Sequence, residues 1–79
     1  MREITHIEFK SNYELICEFN DNSRKYIDLK PFADKEVFSF LNIDNHFKQL
    51  INKKYFIEWP MYEADLSADT LWHIGKPQI

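Results

Sequence analysis

An α+β fold is predicted by three features of the sequence. Apolar residues alternate with period two through the first thirty positions, switch to helical spacing in the middle, and return to strand character before a capped segment near the C-terminus. The predicted architecture is a three-stranded antiparallel meander, two short helices, a further strand or hairpin, and a short C-terminal helix packed on the sheet. All 79 residues read as one domain.

The first strand places Thr5, Ile7 and Phe9 on one face and Ile4, His6 and Glu8 on the other. Lys10-Ser11-Asn12 is a polar turn. In the second strand Tyr13, Leu15, Cys17 and Phe19 alternate with Glu14, Glu18 and Asn20, and Ile16 is the apolar exception. Asn20-Asp21-Asn22-Ser23 supplies residues that tolerate the left-handed backbone of tight turns. The third strand runs from Lys25 to Leu29 and is stopped by Pro31, which has no amide to donate to a ladder. Connections this short make the three strands antiparallel.

Val37, Phe40 and Leu41, with Phe38 beside them, form a helical stripe with Asp34 as its expected N-cap. A second helix is expected from Asn45 to about Ile51, capped by Asp44, with Phe47, Leu50 and Ile51 inward. Asn52-Lys53-Lys54 reads as a surface loop before a strand at Tyr55–Trp59. Pro60-Met61-Tyr62 turns the chain, and Tyr62 to Leu66 runs back as a short edge. Ser67 and Asp69 are the expected structural cap of the last helix: Ser67 as N-cap, and Asp69 facing the positive end of the helix dipole. That helix is expected over Ala68 to about Ile74, with Ala68, Leu71 and Trp72 as its apolar stripe. Gly75 stands where a left-handed residue would end the helix, and Pro77 follows.

Composition limits the functions open to the chain. Phe, Trp and Tyr supply 16% of the residues, and each buries roughly 150–250 Å², so the core needs neither disulfide nor metal. Cys17 is the only cysteine; a lone thiol on an apolar strand face points to a reducing, cytoplasmic location and to an inert side chain. No apolar run approaches the roughly 20 residues that span a bilayer, and no signal peptide is visible. The net charge of −3 is unlike the basic footprint of nucleic-acid-binding domains.

No catalytic, cofactor-binding or metal-binding residues are identified. His6, His46 and His73 lie on separate elements without ligand spacing. Asp65-Leu66-Ser67-Ala68-Asp69 begins like a calcium loop, but Thr70 stands at the glycine position and Lys76 at the closing glutamate position. Ser67 lacks a nucleophile elbow, and one glycine cannot build a phosphate loop. Lys48, Lys53 and Lys54 beside Tyr55 and Phe56 are the one arrangement compatible with base stacking. The candidate partner surface is Trp59, Tyr62, Glu63 and Trp72, aromatics at an acidic rim; packing of Trp72 on the sheet is the competing reading.

The run Trp59-Pro60-Met61-Tyr62-Glu63-Ala64-Asp65-Leu66-Ser67-Ala68-Asp69-Thr70-Leu71-Trp72 resembles the signature of the bacterial family of unknown function DUF2442. Leu15–Phe19 leading into Arg24–Leu29, with Phe38 to Leu41 and Phe47, extends the resemblance end to end. Two features depart from that pattern: Met61-Tyr62 replaces an Asn-Gly-like turn, and Ala68 replaces a proline after the capping serine. The resemblance implies a small sheet packed with helices. It also implies a setting beside a second small protein, similar to a toxin–antitoxin pair, while longer relatives with a helix-turn-helix segment imply a regulator. The expected function is therefore a non-enzymatic protein–protein interaction module whose partner is the neighbouring gene product or a second copy. The alternatives are a nucleic-acid-associated regulator and a small ligand-binding domain or enzyme.

Overall fold

The N-terminal alternation folds as the expected meander, to which the C-terminal segment adds a fourth strand. A computed structural model describes residues 1–77. Strands β1 (Ile4–Ser11), β2 (Glu14–Phe19) and β3 (Arg24–Asp28) pair antiparallel in sequence order, and β7 (Lys76–Pro77) joins the far side of β3. A second, three-stranded sheet has the order β4 (Ile51–Asn52), β5 (Phe56–Trp59) and β6 (Ala64–Ser67). Between β3 and β4 lie a one-turn helix α1 (Lys30–Ala33) and two 3₁₀ segments, Glu36–Asn42 and Phe47–Gln49. Helix α2 (Ala68–Ile74) follows β6 directly. The sheets are stitched where the Ile4 amide donates to the Lys54 carbonyl at 2.7 Å and the Asn52 side-chain amide donates to the Ile4 carbonyl at 3.0 Å.

One apolar cluster joins both sheets. Leu15, Cys17, Phe19 and Ile27 of the first sheet meet Ile57, Trp59 and Ala64 of the second, with Leu29, Phe40, Leu41, Phe47 and Leu71 closing the space between. Ile16, the apolar exception of β2, is buried as well but lies outside that cluster. It faces the opposite side of the sheet, in register with Glu8 and Tyr26. There Glu8 binds Lys10 and Arg24, Glu18 binds Arg24, and Glu14 accepts from Ser11 and Tyr26. The apolar stems of such side chains cover Ile16 while their heads reach water.

The face predicted for β1 is corrected at its start. A register shift between Ile4 and His6 leaves Thr5 as an extra residue opposite β2. Ile4, not Thr5, therefore shares the inner face with Ile7 and Phe9, and Ile4 is buried. Tyr13 is also not a strand residue. It occupies the turn at φ 71°, and its hydroxyl donates to Asn42 Oδ1 at 2.6 Å. The Asn42 amide in turn donates to the Ala33 and Ser39 carbonyls, fixing the 3₁₀ segment to α1.

The middle of the chain departs most from expectation. Asp34 caps nothing at an N-terminus; it ends α1, whose first turn contains Pro31. The next segment winds at three residues per turn, so Phe38 and Leu41 align in one row. Phe40 and Leu41 are buried, but Val37 at the first turn is 66% exposed. The expected helix from Asn45 shrinks to Phe47–Gln49, with no side-chain cap from Asp44. Asn45 at φ 70° breaks any helical path through it. Phe47 still faces the core, whereas Ile51 moves into β4 and is 45% exposed.

Helix α2 spans the predicted residues. The Ser67 side chain accepts from the Thr70 amide at 3.1 Å, and Asp69 sits in the first turn. Gly75 is corrected: its φ of −73° and ψ of 153° are extended, not left-handed. Glycine is required there by close approach, because a Cβ would lie 2.8 Å from Lys25 Cβ and 2.9 Å from the Leu71 carbonyl oxygen.

Cys17 lies in the core, and burial pushes its thiol up to about 12. A thiol that stays protonated where the unfolded chain ionises, near 8.5, makes the folded state lose stability as pH rises from there towards 12. Native protein at pH 8 is expected to resist iodoacetamide, with labelling only in denaturant. Cys17→Val is expected to flatten the alkaline loss of stability in urea titrations, and rapid native labelling contradicts this burial.

Candidate interaction surface

The turn between β5 and β6 is built from the inside out. Trp59 ends β5 with its indole 1% exposed, and Nε1 donates to the Phe47 carbonyl at 2.9 Å. Phe38 and Phe40 meet that ring edge-on, at 6.1 and 5.5 Å. Trp59 is thus a core anchor, which removes it from the candidate partner surface. Pro60–Tyr62 make a 3₁₀ turn, where the proline's fixed φ suits the first position. Tyr62 lies flat on Phe40, with ring centroids 4.1 Å apart and planes 2° apart, and its hydroxyl is bonded to His46 Nδ1. Glu63 closes the turn at φ 51°, a left-handed position held by an ordinary residue, and its side chain is exposed.

Between these fixed points stands Met61, 70% exposed. Composition and periodicity gave no reason to single out this residue. The signal available in the sequence was its place between Pro60 and an aromatic, where a turn must present one side chain outward. Of the predicted surface residues, Tyr62 and Glu63 lie on this turn and Trp72 does not.

Trp72 is half-buried on α2 and already occupied. The Arg2 guanidinium carbon lies 4.0 Å and Lys25 Nζ 3.7 Å from its ring centroid, within cation–π range. Arg2 also pairs with Asp69, the acidic residue of the helix's first turn. The Trp72 indole nitrogen is covered and has no hydrogen-bond partner among the described residues. The contacts of Trp72 are those of a strut between the N-terminal segment and α2.

Of the lysines considered for nucleic acid, Lys54 has local partners. Lys54 lies 3.6 Å from Glu3 and over the Tyr55 ring, and Lys48 borders a cleft beside Tyr13 and Phe47. That cleft measures about 120 Å³, below the roughly 300–1,000 Å³ usual for small-molecule sites. The three histidines stay apart in role: His46 holds Tyr62, His73 meets the Trp72 ring at 5.4 Å, and His6 is exposed on β1. No helix among the described residues is long and apolar enough to cross a membrane.

Residues 4–77 match the family model described as "Protein of unknown function (DUF2442)". No curated protein and no solved structure matches the chain.

Proposed function

Because the chain belongs to the DUF2442 family across nearly its whole length, and because its most exposed apolar turn residue stands on a rigid aromatic base, we propose that it is a non-enzymatic protein–protein interaction module, one half of a toxin–antitoxin-like pair. The observation that carries this reading is the Pro60–Glu63 turn. Met61 is 70% exposed while Trp59 and Tyr62 on either side are fixed by core packing, stacking and hydrogen bonds. A rigid turn loses little conformational freedom on binding, so an apolar knob on it contributes to affinity rather than to ordering. Methionine adapts its shape to the partner's pocket. Glu63 and Tyr62 form a polar rim about the knob, the usual surround of an energetically central residue.

Co-expression with the small protein encoded beside it, followed by size-exclusion chromatography with light scattering, is expected to give a heterocomplex. Met61→Asp is expected to weaken that complex by at least about tenfold, because a carboxylate must then be buried in an apolar pocket, while leaving the melting temperature within a few degrees. Two separate monomers, or a complex indifferent to Met61→Asp, defeat the proposal.

A further inference from the structure

The two sheets treat their outward-facing carboxylates differently. On the four-stranded sheet Glu8, Glu14 and Glu18 all have partners within the chain: Lys10 and Arg24 for Glu8, Ser11 and Tyr26 for Glu14, and Arg24 for Glu18. These bonds hold the carboxyls of Glu8 and Glu14 below the usual range, chiefly through Lys10 and Ser11 respectively. On the three-stranded sheet Ile51, Glu58 and Asp65 are register partners and form one outward row across β4, β5 and β6. Glu58 and Asp65 are direct cross-strand neighbours, and among the described residues neither carboxylate has a hydrogen-bond or ion-pair partner. Like charges placed directly opposite one another destabilise a strand pair. Nearby acidic residues elsewhere are neutralised, Asp69 by Arg2 and Glu3 by Lys54.

Apolar surface lies beside the pair on the same face. Ile51 is 45% exposed, and Phe56, one step along β5 on that side, is half-buried. We infer that the outer face of β4–β5–β6 docks a cationic segment of a partner protein, an arginine-bearing stretch whose guanidinium spans Glu58 and Asp65 while an apolar neighbour rests on Ile51 and Phe56. Charge complementarity decides the occupant: two uncompensated carboxylates on adjacent strands match the forked donors of arginine better than a point charge. The face is continuous with the Met61 turn, because β5 enters that turn and β6 leaves it. This inference names the partner chemistry for the interaction module and rests on that reading.

The full chain, labelled with ¹⁵N, is titrated with an octapeptide of alternating leucine and arginine, and with its leucine–glutamate counterpart. Saturable shifts are expected at the amides of Ile51, Phe56, Glu58 and Asp65 with the cationic peptide, weakening as salt rises, and none with the acidic one. The double variant Glu58→Gln, Asp65→Asn is expected to bind about tenfold more weakly with a melting temperature no lower than the parent, since the like-charge pair is gone. Equal affinity in the double variant, shifts centred on Glu8 and Glu18, or equal binding of the acidic peptide overturns the inference. A neighbouring gene product that requires Met61 yet ignores the double variant also overturns it and leaves the interaction module standing. Cationic-peptide binding at this face with no heterocomplex on co-expression supports the surface and defeats the pairing.

Discussion

Replacing Trp59 with alanine is expected to remove most of the folding free energy. Trp59 is the largest of the fully buried side chains. It is also the point where the second sheet grips the 3₁₀ segments, through Phe38, Phe40 and the Phe47 carbonyl. Truncating a buried tryptophan costs about 3–5 kcal/mol, and a buried carbonyl left without its donor costs about 1–3 kcal/mol more. A domain of this size has roughly 5–15 kcal/mol in all, towards the lower end. Trp59→Ala is therefore expected to be largely unfolded at 37 °C, with its urea midpoint shifted close to zero. Trp59→Phe keeps a ring and loses the indole donor, and is expected to fall between the two. Circular dichroism through a urea titration measures both. An unfolding free energy for the alanine variant within about 1 kcal/mol of the parent's contradicts the packing described.

Substitution of Gly75 is the second large effect. An added methyl meets Lys25 Cβ at 2.8 Å, the Leu71 carbonyl oxygen at 2.9 Å and Ile27 Cγ1 at 3.1 Å. The first two are fixed by strand and helix backbone and cannot swing aside. Overpacking of this kind costs about 1–3 kcal/mol, against about 0.4–1 kcal/mol recovered by restricting the unfolded chain. Gly75→Ala is expected to lose about 1–2 kcal/mol and Gly75→Val about 3 kcal/mol or more. Each kcal/mol lowers the melting temperature by about 4–8 °C in a chain this short. Gly75→Asn separates the two explanations of this glycine. A left-handed cap tolerates asparagine, whereas the extended, crowded site observed here does not. An asparagine variant as stable as the parent contradicts the close approach.

Those two residues also indicate how far the sequence could be read. Gly75 was recognisable as the end of α2, but the reason for glycine was not. A helix-ending glycine and one under a crossing strand look alike until β7 is seen to pair with β3. Strand order in the meander was legible because each strand has one apolar face and the turns are short. The bulge at Thr5 was not, since one inserted residue flips the faces before it and leaves the composition unchanged. The 3₁₀ segments failed for a related reason. A stripe at i, i+3, i+4 fits three residues per turn over one or two turns almost as well as 3.6. The left-handed Asn45 that cuts the second helix short carries no pattern of its own.

The candidate surface was half legible. The Trp59–Trp72 run contains the exposed turn, and Tyr62 and Glu63 lie on it. Trp59, one of its two most conspicuous members, is in the core, and Trp72 is half-buried beneath Arg2 and Lys25, because large aromatics repay burial more than display. Met61 and the Glu58–Asp65 pair were obscured for opposite reasons. Methionine has no distinctive pattern, and an acidic residue on a strand looks solvated until its cross-strand neighbour is known.

The strut formed by Arg2, Asp69 and Trp72 has a bearing on synthesis. It ties residue 2 to residues 69 and 72, and Gly75 packs against Lys25 and Ile27. A ribosome releases these partners at opposite times. Until residues 68–77 emerge, β3 keeps an open hydrogen-bonding edge, and Ile27 lacks the Leu71–Gly75 segment beside it. An open strand edge with apolar surface nearby is a point of attachment for other chains. Residues 68–77 therefore act as a latch on the nascent polypeptide, covering that edge and packing against Ile27 once they emerge.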